Sequence, residues 1–278
     1  MLAGELAKVL HARGIEPILI RRSECDISQI TQVHELFSSH RPSLLINCAA
    51  HTKVDLCEDE PDRANAINGT GVRNLGEQAL EYGTKLVHFS TDFVFDGQSD
   101  RPYRPNDPPN PLSAYGRSKL SGEIALGQLP LPTWLNIRTA WLFGRHGHCF
   151  PKVILDRARA GHGLKIVNDQ IGCPTYAADL AQAVIRLLDH DASGNWHLTN
   201  SSPASWYEFA TQILSEFMIA AEVKPISTAE WVAMRPHQAH RPAYSVLDTS
   251  AYSQLTGFQM RDWRDALRDY RTEVEKGS

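Results

Sequence analysis

The sequence predicts an α/β protein built around a parallel, doubly wound sheet. Short apolar segments bounded by turn residues alternate with longer segments whose apolar residues recur every three or four positions. Strands that alternate with helices in this way are typical of parallel sheets with helices on both faces. The alternation weakens after about residue 165, where loops rich in Pro, Ser and Asn separate the elements. We therefore expect a larger domain over residues 1–165 and a smaller lobe over residues 166–278, interleaved with the first.

Helical and strand segments follow one another from the start of the chain. The first helix carries Leu2, Leu6 and Val9 on one face, and Gly14 ends it. The next segment, residues 15–20, is a short bounded apolar run, so we expect a buried strand there. Further predicted strands lie at residues 42–50, 85–91 and 133–141. Further predicted helices lie at residues 27–40, 62–83, 113–127, 150–161, 177–190 and 205–218.

Composition and charge argue against several classes of protein. A formal net charge of −4, spread along 278 residues, provides no basic stripe for nucleic acid and no polybasic patch for a membrane surface. The chain shows no apolar run of transmembrane length and no signal pattern, so we expect a cytoplasmic protein. The five cysteines are odd in number and show no CxxC spacing, which indicates reduced thiols rather than disulfides or a zinc site.

Polar residues follow two predicted strands and open one predicted helix. They form the stretches 47–52, 90–97 and 115–119. In open α/β sheets, ligands bind beyond the carboxyl ends of the strands, so these stretches are the candidate functional segments. The small residues Ala49 and Ala50 would let a ligand approach the backbone closely.

Tyr115 and Lys119 are four residues apart at the start of a predicted helix, so they share one face. We expect the lysine ammonium to favour the phenolate and so to lower the pKa of the tyrosine. Such a tyrosine can pass a proton to or from a carbonyl oxygen while a hydride reaches the carbon, and Thr91 could hydrogen-bond the same oxygen. Taken alone, a Tyr-x-x-x-Lys pair is more often structural. The Ser-Thr strand end two dozen residues upstream favours catalysis.

Six sequence blocks in order resemble those of the extended short-chain dehydrogenase/reductase family, and within it the dTDP-4-dehydrorhamnose reductases. The blocks are "NCAAHTKVDLCEDEP", "STDFVFDG", "PPNPLSAYGRSKLSGE", "RTAWLFG", "NDQIGCPTYAADLA" and "RPAYSVLDTS". The resemblance implies a Rossmann-type domain with a smaller C-terminal substrate lobe. It also implies reduction of a 4-keto deoxysugar, carried on a thymidine diphosphate, by NADPH or NADH.

The resemblance also implies roles for individual residues. Thr91, Tyr115 and Lys119 match the catalytic positions: Thr91 would orient the ketone, Tyr115 would protonate the C4 alkoxide, and Lys119 would hold the nicotinamide ribose. The implied cofactor-binding positions are Leu2, Arg21, Arg22, Asp26, Ile27, Ala49, Ala50, His51, Thr52, Asn68, Ser90, Tyr115 and Lys119. The implied substrate-facing positions are Val54, Thr91, Phe93 and Trp141.

Some positions depart from the family pattern. Phe93 stands where many members have tyrosine, so a sugar contact from that hydroxyl is absent here. His148 and Cys149 replace a common Asn-Asn pair, which leaves the sugar specificity open. Arg21 and Arg22 follow the predicted strand where an acidic residue commonly binds the ribose 2′-hydroxyl, so we expect NADPH rather than NADH; a solvated surface pair is the alternative.

The sequence indicates neither a metal site nor a particular oligomeric state. No motif indicates a metal site: His146, His148 and Cys149 lie in a Gly-punctuated loop without other ligands nearby, and Mg²⁺ is compatible with the chain but not indicated. A homodimer is equally compatible with the sequence.

Two other functions stay open at this stage. One is an epimerase or dehydratase of the same fold, and the other is a non-catalytic binding subunit like the regulatory subunit of methionine adenosyltransferase. The chain begins within a helix, and Met1, Leu2 and Ala3 align with the end of the family's glycine-rich turn. We therefore expect the first strand and the first two glycines of that turn to be missing from the chain. Because that turn binds pyrophosphate, the regulatory alternative stays open.

Overall fold

The computed structural model describes residues 1–276 and confirms an α/β fold with a parallel central sheet. Its strands are β1 (Leu44–Asn47), β2 (Lys85–Thr91), β3 (Trp134–Thr139), β4 (Leu142–Phe143), β5 (Leu164–Val167), β6 (Ile171–Gly172), β7 (Thr175–Tyr176), β8 (Gly194–His197), β9 (Ala204–Ser205) and β10 (Val223–Ile226). Its α-helices are α1 (Leu2–Ala12), α2 (Ile30–His40), α3 (Leu56–Asp59), α4 (Pro61–Asn65), α5 (Gly71–Tyr82), α6 (Ala114–Gln128), α7 (Phe150–Arg159), α8 (Ala177–Asp189), α9 (Trp206–Glu216), α10 (Thr228–Met234), α11 (Ser250–Thr256) and α12 (Trp263–Glu275). A π-helical turn (Ala66–Thr70) and a 3₁₀ turn (Asp92–Val94) complete the set.

The central sheet has the strand order β1-β2-β3-β8, and every neighbouring pair is parallel. Successive side chains of a strand point to opposite faces, so β2 contributes to both sides of the sheet. On one face Val87 and Ile137 pack with Leu180 of α8 and with α1. On the other face Leu86 packs with Phe37 of α2 and with α5. Helices therefore cover both faces, as expected for a doubly wound sheet.

A separate apolar cluster lies outside the two clusters that cover the central sheet, and the elements around it are called the second lobe. Phe143, Phe209 and Trp263 lie at its centre, and each is fully buried. The cluster joins α7, α9 and α12 and packs beside the parallel pair of β5 and β10. Because β8 belongs to the central sheet, the chain passes from the sheet into this lobe, back to the sheet, and into the lobe again.

The predicted buried strand at residues 15–20 is wrong. This segment has no strand assignment, and Ile15, Ile18 and Leu19 expose between 52% and 66% of their surface. A strand exists only where a neighbour accepts and donates its backbone hydrogen bonds. None of the strands in residues 1–276 pairs with this segment, so its apolar composition alone does not produce one.

Two further sequence predictions concern the state of the cysteines and the presence of membrane-spanning helices. All five cysteines are free thiols; Cys48 is half-buried and the other four are buried. Within residues 1–276, no helix is both long enough and apolar enough to span a bilayer.

Candidate active site

The candidate site lies where the carboxyl end of β2 meets the first turn of α6. The α6 helix starts at this point because Ser113, in an extended conformation, caps it: the Ser113 hydroxyl accepts a hydrogen bond from the Gly116 backbone N–H at 3.1 Å. Tyr115 and Lys119 then follow on consecutive turns of the helix, both at least nine-tenths buried. Thr91 ends β2, which α6 contacts, and the joint catalytic role of the three residues stays a prediction.

Tyr115 lies in a small apolar cluster with Cys57, Ala114 and the half-buried Val54 and Phe93. Phe93 meets its ring edge-on, with centroids 5.6 Å apart. Burial raises the pKa of Tyr115 above its ordinary value, and the nearby Thr91 hydroxyl only partly opposes this effect. The expected lowering of this pKa is therefore wrong, because desolvation of the buried phenol dominates. At neutral pH the tyrosine is a protonated acid.

Thr91 is the last residue of β2, and its side chain is hydrogen-bonded to Asp92, the next residue. Its hydroxyl donates to Asp92 Oδ1 at 3.0 Å and accepts from the Phe93 N–H at 3.2 Å. Ser245 donates to the other Asp92 oxygen at 2.6 Å. Burial raises the pKa of Asp92 to about 6, while these hydrogen bonds hold the rise back. Sequence reasoning assigned no role to Asp92 or Ser245, although each stands inside a quoted block.

Lys119 extends from α6 toward the sheet and exposes only 2% of its surface. Its ammonium nitrogen contacts the Phe89 backbone oxygen and lies 3.4 Å from His88 Nε2. Burial lowers the pKa of Lys119 to about 8. His88 was not among the predicted site residues. The only signal for it is its place on a strand that ends in Ser90 and Thr91.

Asn68 joins the loop after β1 to α6 by hydrogen bonds. Asn68, in the π-helical turn, accepts from the His51 N–H at 2.8 Å and donates to the His51 carbonyl oxygen at 3.0 Å. The same Asn68 amide donates to Ser118 Oγ at 2.9 Å. Asn68, predicted to bind cofactor, thus joins the loop that carries Ala49 and Ala50 to the helix that carries Tyr115.

The remaining predicted cofactor positions differ in their surroundings. Arg21 and Arg22 are exposed, and Arg22 pairs with Asp26 at 3.2 Å. Leu2 and Ile27 are buried in the apolar clusters on opposite faces of the sheet. Thr52 is exposed beside the loop, and Ser90 is buried on β2.

Trp141 lies in an aromatic stack at the edge of the second lobe. Its ring lies parallel to that of Trp206, with centroids 3.5 Å apart. The Phe150 ring packs against Trp206, with centroids 4.6 Å apart. Trp141 adopts a left-handed backbone with φ of 48°, which is strained for a large residue. An ideal Cβ on Gly172 would lie 2.6 Å from the Trp141 ring, so glycine is needed there. Sequence reasoning missed Trp206 and Phe150 because their proximity depends on the fold of the lobe.

Comparison with known proteins gives the family. The sequence pattern of the RmlD substrate binding domain family matches residues 1–276. The chain belongs to this family. The resemblance on the six sequence blocks is thereby confirmed.

Relatives of this RmlD-family chain are similar over nearly their whole length. The spore coat polysaccharide biosynthesis protein SpsK of Bacillus subtilis is 40% identical over 269 residues, which cover 97% of the chain and 93% of the relative. The crystal structure of a dTDP-4-dehydrorhamnose reductase from Clostridium acetobutylicum is 37% identical, with a TM-score of 0.93 and coverage of 99% and 96%. A dTDP-4-dehydrorhamnose reductase from Bacillus anthracis, solved in complex with NADP, is 35% identical, with a TM-score of 0.92 and coverage of 98% and 95%.

Within residues 1–276, no group of three or more His, Cys, Asp or Glu side chains is placed to hold a metal ion. His146 and His148 are exposed in the loop between β4 and α7.

Proposed function

We propose that this protein reduces the C4 keto group of dTDP-4-dehydro-L-rhamnose to give dTDP-L-rhamnose, with NADPH as the reductant. The observation that carries the proposal is Tyr115, buried in contact with Phe93 at the start of α6 and beside the strand end that carries Thr91, in a chain of the RmlD family. Reduction of a ketone needs an acid that still holds its proton when the hydride arrives. The burial of Tyr115 provides that acid.

The residues of the chain fit a nicotinamide cofactor beside this acid. Ser90 Oγ is buried and has no hydrogen-bond partner among the described residues, as expected where a polar ligand supplies one. Ala49 is exposed and Ala50 is half-buried at the carboxyl end of β1, so the backbone there is open to close approach. The residues that would hold NADPH are Ala49, Ala50, His51, Thr52, Ser90 and Lys119, with Arg21 and Arg22 toward the 2′-phosphate.

NADPH, when bound, supplies the hydride to C4 of the sugar. Tyr115 donates its hydroxyl proton to the C4 oxygen, which becomes the new alcohol, and Thr91 orients that oxygen by a hydrogen bond. Val54 and Phe93 border Tyr115 and exclude water from the reacting oxygen. Trp141, held by Trp206, bounds the sugar on the side of the second lobe.

The test follows NADPH oxidation in the presence of dTDP-4-dehydro-L-rhamnose and identifies the sugar product. We expect turnover that falls at least about 100-fold in Tyr115→Phe, the loss typical of a general acid. Thr91→Val, which keeps the shape but removes the hydroxyl, should cost about tenfold. Tyr82→Phe is the matched control, because Tyr82 packs on Phe37 away from the site and its loss should leave turnover unchanged.

Three results would contradict the proposal. They are turnover unaffected in Tyr115→Phe, an epimerised product without net NADPH oxidation, and binding of the dTDP-sugar with no reduction at all. A parallel comparison with NADH tests the coenzyme preference. Equal kcat/KM for the two coenzymes would remove the role assigned to Arg21 and Arg22.

A further inference from the structure

The hydrogen of the Thr91 hydroxyl is already committed to a neighbour. Asp92 Oδ1 lies 3.0 Å from Thr91 Oγ, and because a carboxylate only accepts, Thr91 donates to it. Thr91 Oγ also accepts a hydrogen bond from the Phe93 backbone N–H at 3.2 Å. A hydroxyl has one donor and two acceptor lone pairs, so a single lone pair remains. While Asp92 is ionised, Thr91 can therefore accept a hydrogen bond from a ligand but cannot donate one.

Protonation of Asp92 reverses this hydrogen bond. Ser245 Oγ donates to Asp92 Oδ2 at 2.6 Å, so Oδ1 is the oxygen that is left to take a proton. A carboxyl O–H on Oδ1 donates to the second lone pair of Thr91 Oγ. The hydrogen of Thr91 is then free to point at a ligand. The charge of Asp92 thus decides whether Thr91 offers a ligand a donor or an acceptor.

Burial fixes the orientation of the Asp92 carboxyl group. Asp92 and Ser245 each expose 2% of their surface. The Ser245 backbone N–H donates to the Ile171 carbonyl oxygen at 2.8 Å, which anchors the serine to β6. Buried polar groups must find their partners within the protein. The carboxyl group therefore keeps the same two hydroxyl partners, whichever way the hydrogen between Asp92 and Thr91 lies.

Two other titratable groups face Asp92, and both are neutral where it titrates. Burial raises the pKa of Asp92 to about 6, and its hydrogen bonds limit the rise. Tyr115 of α6 and Cys173, between β6 and β7, both interact with the Asp92 charge. Burial raises the pKa of each, to about 11 for the Cys173 thiol. Neither group therefore changes its charge in the range where Asp92 does.

The cations on neighbouring elements have other partners. Lys119 of α6 contacts a backbone oxygen of β2. Arg241, in the segment that leads to Ser245, pairs with Asp55 at 2.9 Å. Within residues 1–276, neither cation forms an ion pair with Asp92. The charge of Asp92 is thus governed by its burial and by the hydroxyl groups that it contacts.

The two states of Thr91 match the two forms of the C4 oxygen in the proposed reduction. A ketone, and the alkoxide that develops from it, only accept hydrogen bonds, whereas the alcohol product can also donate. We propose that Asp92 and Ser245 are positioning residues that set the direction of the Thr91 hydrogen bond. With Asp92 protonated, Thr91 donates to the ketone; with Asp92 ionised, Thr91 accepts from the alcohol. The inference rests on the proposed function, because that function supplies the C4 oxygen.

Asp92 keeps its proton while the ketone is reduced. The C4 carbon takes the hydride of NADPH, which leaves NADP⁺, and the C4 oxygen takes the hydroxyl proton of Tyr115. Tyr115 becomes a phenolate and regains a proton from solvent. Asp92 supplies only the direction of a hydrogen bond, so it acts through Thr91.

The size of the effect follows from one hydrogen bond. A donor to an oxygen that gains charge changes the affinity by about tenfold. If protonated Asp92 favours the ketone by about tenfold, linkage requires the ketone to raise the pKa of Asp92 by about one unit. The alcohol should lower that pKa, because it favours the ionised form.

The first experiment follows the Asp92 carboxyl itself and needs no turnover. Aspartate is labelled with ¹³C at Cγ, and Asp92→Asn identifies the Asp92 signal. Without ligand we expect a midpoint at about pH 6, above that of the exposed Asp62. With saturating dTDP-4-dehydro-L-rhamnose and no coenzyme the midpoint should rise by about one unit, and with dTDP-L-rhamnose it should fall. A ligand-free midpoint equal to that of Asp62, or equal midpoints in the two complexes, would overturn the proposal.

Variants of the two hydroxyl partners test the geometry without ligand. Ser245→Ala and Thr91→Val each remove a donor to the carboxylate, so each should raise the Asp92 midpoint by about one pH unit. Ser202→Ala is the matched control, because Ser202 Oγ donates to Asp262 at the same distance of 2.6 Å at the start of α12. Its loss should leave the Asp92 midpoint in place. Midpoints equal to wild type in Ser245→Ala and Thr91→Val would refute the arrangement.

The second experiment measures kcat/KM for NADPH-dependent reduction from about pH 5 to about pH 7. This range lies below the pKa of Lys119, which is about 8. The wild-type value should fall by about tenfold as the pH rises through the Asp92 midpoint. Asp92→Asn, whose amide does not titrate, should lose this step, whereas damage to packing alone lowers kcat/KM equally at every pH. A step of unchanged size in Asp92→Asn would contradict the role of Asp92.

Failure of the two proposals can be told apart. Absence of NADPH oxidation, with Asp92 midpoints that separate in the two sugar complexes, would count against the reduction and leave the role of Asp92 and Ser245 standing. NADPH oxidation with equal midpoints in the two complexes would do the reverse.

Discussion

Replacing Asp92 by asparagine tests how burial controls charge next to Thr91. Asp92 exposes 2% of its surface and accepts hydrogen bonds from Thr91 and Ser245. An asparagine keeps the shape and one acceptor, and the Ser245 hydroxyl can rotate to accept from the new amide nitrogen. The substitution therefore removes the ionisation with little change in packing.

The sign and size of the effect follow from the pKa of Asp92. Burial raises that pKa from 3.8 to about 6 in the folded protein. The folded state then binds more protons than the unfolded state in this range, so stability is present below pH 3.8 and is lost as the pH rises through about 6. The full shift corresponds to about 3 kcal/mol of unfolding free energy. Between about pH 4.5 and about pH 7.5 the expected loss is about 2 kcal/mol.

The measurement is urea unfolding of wild type and Asp92→Asn at both pH values. Relative to Asp92→Asn, the wild type should lose about 2 kcal/mol of unfolding free energy as the pH rises. Asp96→Asn is the control: hydrogen bonds from Asn110 and the Gln98 N–H lower the pKa of Asp96, so its contribution is already present above the ordinary carboxyl pKa and stays nearly flat over this range. If the difference in unfolding free energy between wild type and Asp92→Asn is equally independent of pH, Asp92 titrates normally and its burial does not raise its pKa.

Two further substitutions test contacts that α6 makes near the site. Glu123→Gln leaves the buried Arg138 without its carboxylate, so we expect a loss of 3 to 5 kcal/mol in unfolding free energy, roughly the cost of an unpaired buried charge; a loss below about 1 kcal/mol would mean that solvent reaches Arg138. Gly122→Ala places a methyl group against the Asn68 backbone oxygen, and we expect about 1 to 3 kcal/mol of destabilisation together with slower NADPH oxidation. Stability and turnover both equal to wild type would show that α6 and the π-helical turn move apart without cost.

Local pattern was sufficient to predict elements whose signals are complete within a few residues. The apolar run at residues 85–91 is a strand with those same bounds, and the helix predicted at 113–127 begins and ends within one residue of α6. The predicted helix over 62–83 is present as α4, a π-helical turn and α5 in succession. Residues 15–20 have the same apolar character as β2. They form no strand because pairing depends on a neighbour, which composition does not specify.

By itself the sequence determined the doubly wound parallel sheet, the family, and Thr91, Tyr115 and Lys119 as the candidate catalytic set, because periodicity, i to i+4 spacing and ordered blocks are properties of the chain. Only the tertiary structure decided the protonation states at the site. The Asp92 partner Ser245 lies 153 residues away. Burial of Tyr115 reversed the pKa shift expected from its lysine neighbour. Desolvation and long-range contacts set these charges, and both exist only once the chain has folded.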